Sequence, residues 1–295
     1  MKDINYTIII PHKNIPDLLR RCLASIPRRE DIQIIVVDDN SDPEKVDFNH
    51  FPGVGEPCVE IYFTKEGKGA GYARNVGLDH AQGKWLLFAD ADDFFDDDFV
   101  SALDKYFYED VDIVYFNTRS VDSKTLNIVK PRSDRSETIR KGKIDSLRFT
   151  HVPWGKMIRN EFVIRNNLYF EELIASNDSY FSVISGILAT KISAYDVCIY
   201  VSTIRPDSLF FHDTIERLDA RMLANEHINC KLKELGISHR CSPYPILLKY
   251  KNISMEIYRC KRNTYFKETP ILYIIIDMLR YSKFKNYIFN RFRFR

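Results

Sequence analysis

Between residues 6 and 116, short apolar runs alternate with amphipathic segments. Residues 6–10 form a β-branched run ending at Pro11. Residues 32–37, 59–63, 85–88 and 111–116 repeat the pattern at the length and composition of buried strands. After Pro16-Asp17, Leu18, Leu19, Cys22, Leu23 and Ile26 recur at helical spacing, and Pro27 stops the pattern. Proline suits a first helical position and aspartate the positive helix start. Residues 71–80 and 99–106 read as two further helices. Strands separated by helices predict an α/β fold with a mostly parallel central sheet covered on both faces. Such sheets bind ligands beyond the carboxyl ends of their strands. His12-Lys13-Asn14, Asp38-Asp39 and Asp90-Ala91-Asp92-Asp93 all follow strands in that position.

The later pattern is more helical. Residues 118–143 are charged, with little apolar periodicity, and read as a connection or flexible excursion. Residues 161–166, 179–188, 214–235, 245–258 and 270–281 read as helices, and 194–202 as a strand. With 45% hydrophobic and 28% charged residues, the composition is that of a globular chain. Lys and Arg number 43 against 41 Asp and Glu, a balance that excludes a dedicated nucleic-acid binder. The six cysteines include no C-x-x-C pair and read as reduced thiols of a cytosolic protein. The N-terminal apolar run is too short for a signal peptide. Residues 271–279 are interrupted by Asp277 and fall short of the ~20 apolar residues of a spanning helix. No export signal and no membrane crossing are therefore expected.

The densest chemistry is acidic. Asp90, Asp92, Asp93, Asp96, Asp97 and Asp98 fall in nine residues after the strand at 85–88. Asp96, Asp97 and Asp98 are expected to start the next helix as an N-cap and first-turn acids. Asp90-x-Asp92 stands at the strand tip, where hard oxygen ligands suit Mg²⁺ or Mn²⁺ bridging to phosphates. An EF-hand is excluded by Phe95 and Ser101 at its glycine and glutamate positions. Gly67-Lys68-Gly69-Ala70-Gly71 lacks the G-K-[ST] ending of a P-loop, and Arg74 replaces the third glycine of a dinucleotide fingerprint. It remains either a backbone loop with phosphate access, aided by Arg74, or a flexible turn.

Four stretches occur together: Thr7-Ile8-Ile9-Ile10-Pro11, Ile34-Ile35-Val36-Val37-Asp38-Asp39-Asn40-Ser41, Gly69-Ala70-Gly71-Tyr72-Ala73-Arg74-Asn75-Val76-Gly77 and Phe88-Ala89-Asp90-Ala91-Asp92-Asp93. In this order and spacing the chain resembles the family 2 glycosyltransferases of the glycosyltransferase A fold, closely over residues 5–117 and more loosely to about 210. The resemblance implies a transferase that moves a hexose or N-acetylhexosamine from a UDP-sugar to a hydroxyl acceptor, with inversion. Pro11 matches the loop under the nucleotide, Asp38 and Asp39 the acids at the base, and Gly71 and Arg74 the segment near base and diphosphate. Asp90 and Asp92 match the D-x-D motif, with Asp92 the direct ligand of Mn²⁺ or Mg²⁺ and Asp93 in support.

The resemblance extends to Trp154-Gly155-Lys156, which looks like the family's W-x-K segment, with Trp154 toward the acceptor. Asp178 stands where the family places its general base, and Asn177 replaces the usual glutamate; a helix cap is the competing role for Asp178. Arg205-Pro206-Asp207-Ser208 resembles a segment that closes over the donor, and His212 follows where some relatives place a third metal ligand. No Q-x-x-R-W motif of the processive synthases is present. Three parts are expected: a nucleotide-sugar-binding α/β domain at 1–117, an acceptor and base part at 118–212, and a helical region at 213–295.

The tail carries Arg280, Lys283, Lys285, Arg291, Arg293 and Arg295, interleaved with aromatics and free of acids. It suits an anionic membrane surface, reached from the cytoplasm, better than RNA or packing on its own domain. A glycan or lipid-linked saccharide is the acceptor the resemblance implies. The rival classes are a nucleotidyltransferase that releases pyrophosphate and a non-catalytic nucleotide-sugar-binding protein.

Overall fold

The computed structural model describes residues 3–205 and 212–292, with side chains described as far as residue 281. In chain order the first part contains β1 (Tyr6–His12), α1 (Pro16–Ala24), β2 (Ile32–Asp39), β3 (Val59–Thr64), α2 (Ala70–Asp79), β4 (Trp85–Phe88), β5 (Phe94–Phe95) and α3 (Phe99–Lys105). It continues through β6 (Ile113–Asp122), β7 (Ile128–Val129), α4 (Ser136–Arg140), β8 (Lys156–Arg159), α5 (Asn160–Arg165), α6 (Ser179–Leu188) and β9 (Ile192–Ile204). These strands form a nine-stranded sheet in the order β3-β2-β1-β4-β8-β6-β9-β5, with β7 paired to β6. β1 is parallel to both β2 and β4, and β2 to β3. Four strand ends therefore open on one edge.

Alternation along β1 builds a core on each face. Ile8 and Ile10 pack with Leu19, Cys22 and Leu23 of α1, whereas Ile9 packs with Leu86, Phe88 and, from α6, Phe181 and Ile184. Each such buried side chain contributes about 1.5–3 kcal/mol of transfer free energy. The helical cover and central sheet are those expected from the sequence.

Three local expectations change. Residues 118–143 are not a flexible excursion: β6 continues to Asp122, in parallel register with β9. Beside the apolar Val121, two of its buried positions there, Thr118 and Ser120, are polar, and each finds a hydrogen-bond partner. The Ser120 and Ser202 hydroxyls lie 2.7 Å apart, and the Thr118 hydroxyl donates to the Ser133 carbonyl. The expected boundary after residue 117 therefore falls inside a strand, and the compact units are Met1–Ser208 and Leu209–Arg295. Asp98 stands at the N-cap position of α3 but makes no capping bond, and no acid lies in that helix's first turn. Asp96 instead pairs with Arg119 at 2.6 Å.

The second unit contains α7 (Ile215–Glu234), α8 (Tyr244–Lys249), α9 (Met255–Glu268) and α10 (Ile271–Phe292) around Leu218, Leu247, Tyr250, Tyr258 and Tyr265. The helix expected at 245–258 is two helices, because Ser254 caps a new one by accepting the Ile257 N–H at 3.3 Å. No helix among the described residues is long and apolar enough to cross a membrane.

Arg135 shows how firmly the 118–143 segment is held. It is 2% exposed, and its guanidinium donates to the carbonyls of Phe116 (2.8 Å), Gly155 (2.5 Å) and Trp154 (3.1 Å). Burial draws its pKa down to about 10. Arg135→Met strands those carbonyls and should cost about 2–4 kcal/mol in urea unfolding; an unchanged midpoint would restore the flexible reading.

Candidate active site

His12, at the end of β1, lies in register beside Asp38, one residue before the end of β2. The Nε2 of His12 accepts the Ile15 N–H at 3.2 Å, which places the ring proton on Nδ1 for donation to Asp38 at 2.7 Å. Asp38 also accepts the Ser41 N–H (2.9 Å) and hydroxyl (2.6 Å). Burial pushes this carboxyl up, but the bonds from His12 and Ser41 outweigh it and hold Asp38 below the ordinary carboxylate range. Both its oxygens are spent. Asp38, expected at the donor, instead pins the turn after β2. Pro11, also expected there, is buried in β1 opposite Val37 and shapes the strand end.

Asp39 is the open partner. One oxygen accepts the Gly69 N–H at 2.9 Å and the Lys13 ammonium at 3.1 Å. The other, Oδ1, is buried with no hydrogen-bond partner. An orphaned buried carboxylate oxygen costs about 1–3 kcal/mol, and it marks a place for a donor group from a ligand. Gly69 has φ +97°, a conformation that favours glycine, and this turns its N–H toward Asp39 as α2 begins.

α2 braces the segment that leads to α6. Asn75 exchanges two bonds with the backbone of Phe170, at 2.9 and 2.8 Å. A Cβ on Gly71 would lie 1.9 Å from the Glu171 carbonyl oxygen. Gly71 therefore permits the helix to approach that backbone, rather than exposing a loop to the donor as expected. Arg74, 4% exposed, donates to Asp90 at 2.6 Å and to Asn177 at 2.9 Å. It bridges the D-x-D acid and the residue before Asp178. Asn177 replaces the usual glutamate to a purpose visible here: its oxygen accepts from Arg74 while its amide donates to the Leu173 carbonyl at 3.1 Å. A carboxylate has no donor for the second bond.

Beyond β4, oxygens of Asp90, Asp92 and Asp93 lie within 4.8 Å of one another. Asp93 is 1% exposed, and its oxygens accept the Tyr200 hydroxyl (2.8 Å) and the Thr203 N–H (2.6 Å). The Tyr200 oxygen in turn accepts the Asp90 N–H at 3.0 Å. Arg205 reaches Asp92 at 3.3 Å. Burial, and then the neighbouring carboxylates, push Asp92 up and Asp93 well up. Hard oxygen donors short of positive charge fit a divalent cation. Asp90 and Asp92 have oxygens to offer it, and Asp93 holds the loop from beneath.

Asp178 stands at the N-cap position of α6 but makes no side-chain capping bond. Burial raises its pKa to about 6, with Arg74 opposing and Asp90 adding to the shift. Lys156 is buried beside the same helix, 3.4 Å from the carbonyls of Thr150 and Ser182. Burial, and then Arg135, hold its amine well below the usual lysine value. Trp154 is 3% exposed and stacks on Tyr200 at 5.1 Å, so it underlies the acidic loop and offers no face to an acceptor, contrary to expectation. His212 is exposed and belongs to the second unit. Pro206, Asp207 and Ser208 lie outside the described residues. Tyr200 and Thr203 were not legible as site residues, because inside a strand their side chains read as core.

An acidic loop with oxygens to offer a cation and an orphaned acid near a glycine turn, both beyond the ends of parallel strands, together with a raised aspartate before α6, fit an α/β transferase. The chain belongs to the glycosyl transferase family 2, whose model matches residues 7–165. Among curated relatives, the glycosyltransferase GlyA of Streptococcus pneumoniae is 33% identical over 36% of this chain and 16% of its own length. A poly(ribitol-phosphate) beta-glucosyltransferase of Bacillus spizizenii is 37% identical over 30% of this chain and 15% of its own. The chain spans well under two thirds of either relative. The fold is shared with Staphylococcus aureus TarS, solved with UDP-GlcNAc, at TM-score 0.57 and 21% identity over 75% of this chain and 66% of that one. It is shared too with the mannosyltransferase PcManGT of Pyrobaculum calidifontis, solved with GDP-Man and Mn²⁺, at TM-score 0.54 and 16% identity over 94% and 79%. The architecture is thus the glycosyltransferase A fold.

Gly71→Ala forces its Cβ into the Glu171 carbonyl and should cost about 1–3 kcal/mol of stability. Thermal unfolding checks this. A melting temperature equal to the parent's would mean that α2 does not brace the 170–177 segment.

Proposed function

We propose that the chain transfers a hexose or N-acetylhexosamine from a UDP-sugar to a hydroxyl of a surface glycan or lipid-linked saccharide, inverting the anomeric carbon, with Mn²⁺ or Mg²⁺ as cofactor. The carrying observation is Asp178: a carboxylate without a capping bond, its pKa raised to about 6, tied electrostatically to Arg74 and Asp90. A base poised near neutral pH suits proton removal from an acceptor hydroxyl. Attack by that oxygen from the side away from the nucleotide gives a single displacement, hence inversion.

The other residues divide the donor among them. The orphaned Oδ1 of Asp39 suits an imide N–H of uracil, with Lys13 beside it. Asp90 and Asp92 would hold the divalent cation, which offsets charge on the departing diphosphate. Arg205, now paired with Asp92, is placed to exchange that carboxylate for phosphate oxygens. The UDP-GlcNAc and GDP-Man complexes of the structural neighbours support a nucleotide-sugar donor, and the Mn²⁺ of one of them supports the cation. The polymer named for the Bacillus spizizenii relative supports a surface glycan as acceptor. A cytoplasmic site of action, with the basic-aromatic tail against an anionic membrane, belongs to the same proposal. It rests on the sequence, because the tail's side chains lie outside the described residues.

A panel of UDP- and GDP-sugars with Mn²⁺, read as nucleoside diphosphate release with and without glycolipid extract, tests the reaction. UDP released from a UDP-sugar, faster with acceptor, is expected. Pyrophosphate from a nucleoside triphosphate and a sugar phosphate would overturn the reading. For Asp178, kcat/KM should rise with pH through an apparent pKa near 6 as the carboxyl ionises. Asp178→Asn should lower transfer by about 10²–10⁴-fold while UDP still binds. A folded pKa above the ordinary value means that this group's stability is full below about 4 and is lost as pH rises through 6. The asparagine variant should therefore match the parent at low pH and melt above it at pH 8. Transfer within a few-fold of the parent would reject the base.

A further inference from the structure

The outer face of α10 has the polarity of an inner one. Asp277, the acid of this helix, points inward: it is 2% exposed, accepts the Tyr265 hydroxyl at 2.7 Å and pairs with Arg240. Ile274 and Tyr281, at helical spacing from Asp277, face the same way; Ile274 packs on the unit's core and Tyr281 lies edge-on to Tyr244 at 5.7 Å. The opposite face carries Ile271, Leu272, Ile275, Met278 and Leu279, exposed by 75%, 66%, 50%, 44% and 55%. Single exposed apolar residues are ordinary, but five large ones along one helix face, with the helix's acid turned away, mark a contact surface.

The sequence identifies the occupant. After Asp277 the chain has no acid, and Arg280, Lys283, Lys285 and Arg291 lie within the same helix, which continues to Phe292. An apolar face followed by cations complements an anionic lipid surface, where the apolar residues enter the acyl boundary and the cations meet headgroups. Among its described residues the helix is not long and apolar enough to cross a membrane. The geometry points to α10 as an interfacial membrane helix, seated through Ile271, Leu272, Ile275, Met278 and Leu279. This deepens the membrane contact proposed for the tail, but it rests on different residues and not on the identity of the sugar or the acceptor.

The test is sedimentation of the full chain with vesicles of phosphatidylcholine alone and of phosphatidylcholine mixed with phosphatidylglycerol. The parent should bind the mixed vesicles and leave the neutral ones. Ile275→Glu with Leu279→Glu, at exposed positions where glutamate suits a helix, should weaken binding at least about tenfold. Arg280→Gln with Lys283→Gln and Lys285→Gln should weaken it and remove its salt dependence. UDP release, measured in the same samples, should be unchanged by the double glutamate variant. Vesicle binding without UDP release would support the interfacial helix and count against glycosyl transfer. Absence of parent binding to the mixed vesicles, or equal binding by the glutamate variant, would overturn the inference. So would a parent dimer in light scattering that the glutamate pair turns into a monomer, since the face would then belong to a second copy.

Discussion

Negative charge at the end of β4 is the constraint around which the site is built. Three carboxylates share a loop, and two of them, Asp92 and Asp93, are pushed toward their protonated forms by burial and by neighbouring carboxylates. The protein contains that repulsion without removing it. Arg74 takes Asp90, Arg205 takes Asp92, and Tyr200 with the Thr203 backbone takes Asp93. Asp93 is held by neutral donors deep in the sheet and serves as a floor. Asp90 and Asp92 are held instead by arginine cations.

The same contacts reach the segment before α6. Arg74 does not end at Asp90 but continues to Asn177, the residue before Asp178. Asn75 and Gly71, neighbours on α2, grip Phe170 and Glu171 of the same segment. One short helix thus sets the position of Asp90 and of the segment before the raised aspartate together. The raised value of Asp178 follows from burial first, and Arg74 opposes the shift. A move of that guanidinium therefore alters both partners.

Much of this was legible in the sequence, for a physical reason. Parallel strands with both faces covered are continuous apolar runs, so their ends are sharp, and acids that follow them stand out. Asp39, Asp90 and Asp92 stood out as candidates on that ground, and Asp178 by family resemblance alone. The roles of Asp38, Gly71 and Trp154 were not. A carboxylate that pins a turn, a glycine that permits helix approach and a tryptophan beneath a loop look the same in sequence as ligand contacts. The second half of β6 was hidden because Thr118, Ser120 and Ser202 bury hydroxyls against partners brought from afar, and no local periodicity records a cross-strand pair. Asn177 stood out only as a departure from the family's glutamate; the sequence does not show that its amide closes a bond that glutamate would leave open.

The central claim is that Asp90 and Asp92, now paired with arginines, are held ready for a cation that arrives with a nucleoside diphosphate. Calorimetric titration of UDP with and without Mn²⁺, in the parent and in Asp92→Asn, tests it most directly. The account predicts that Mn²⁺ tightens UDP binding at least about tenfold in the parent, or ~1.4 kcal/mol, and little in the variant. Equal tightening in both, or UDP affinity indifferent to Mn²⁺ in the parent, would contradict it.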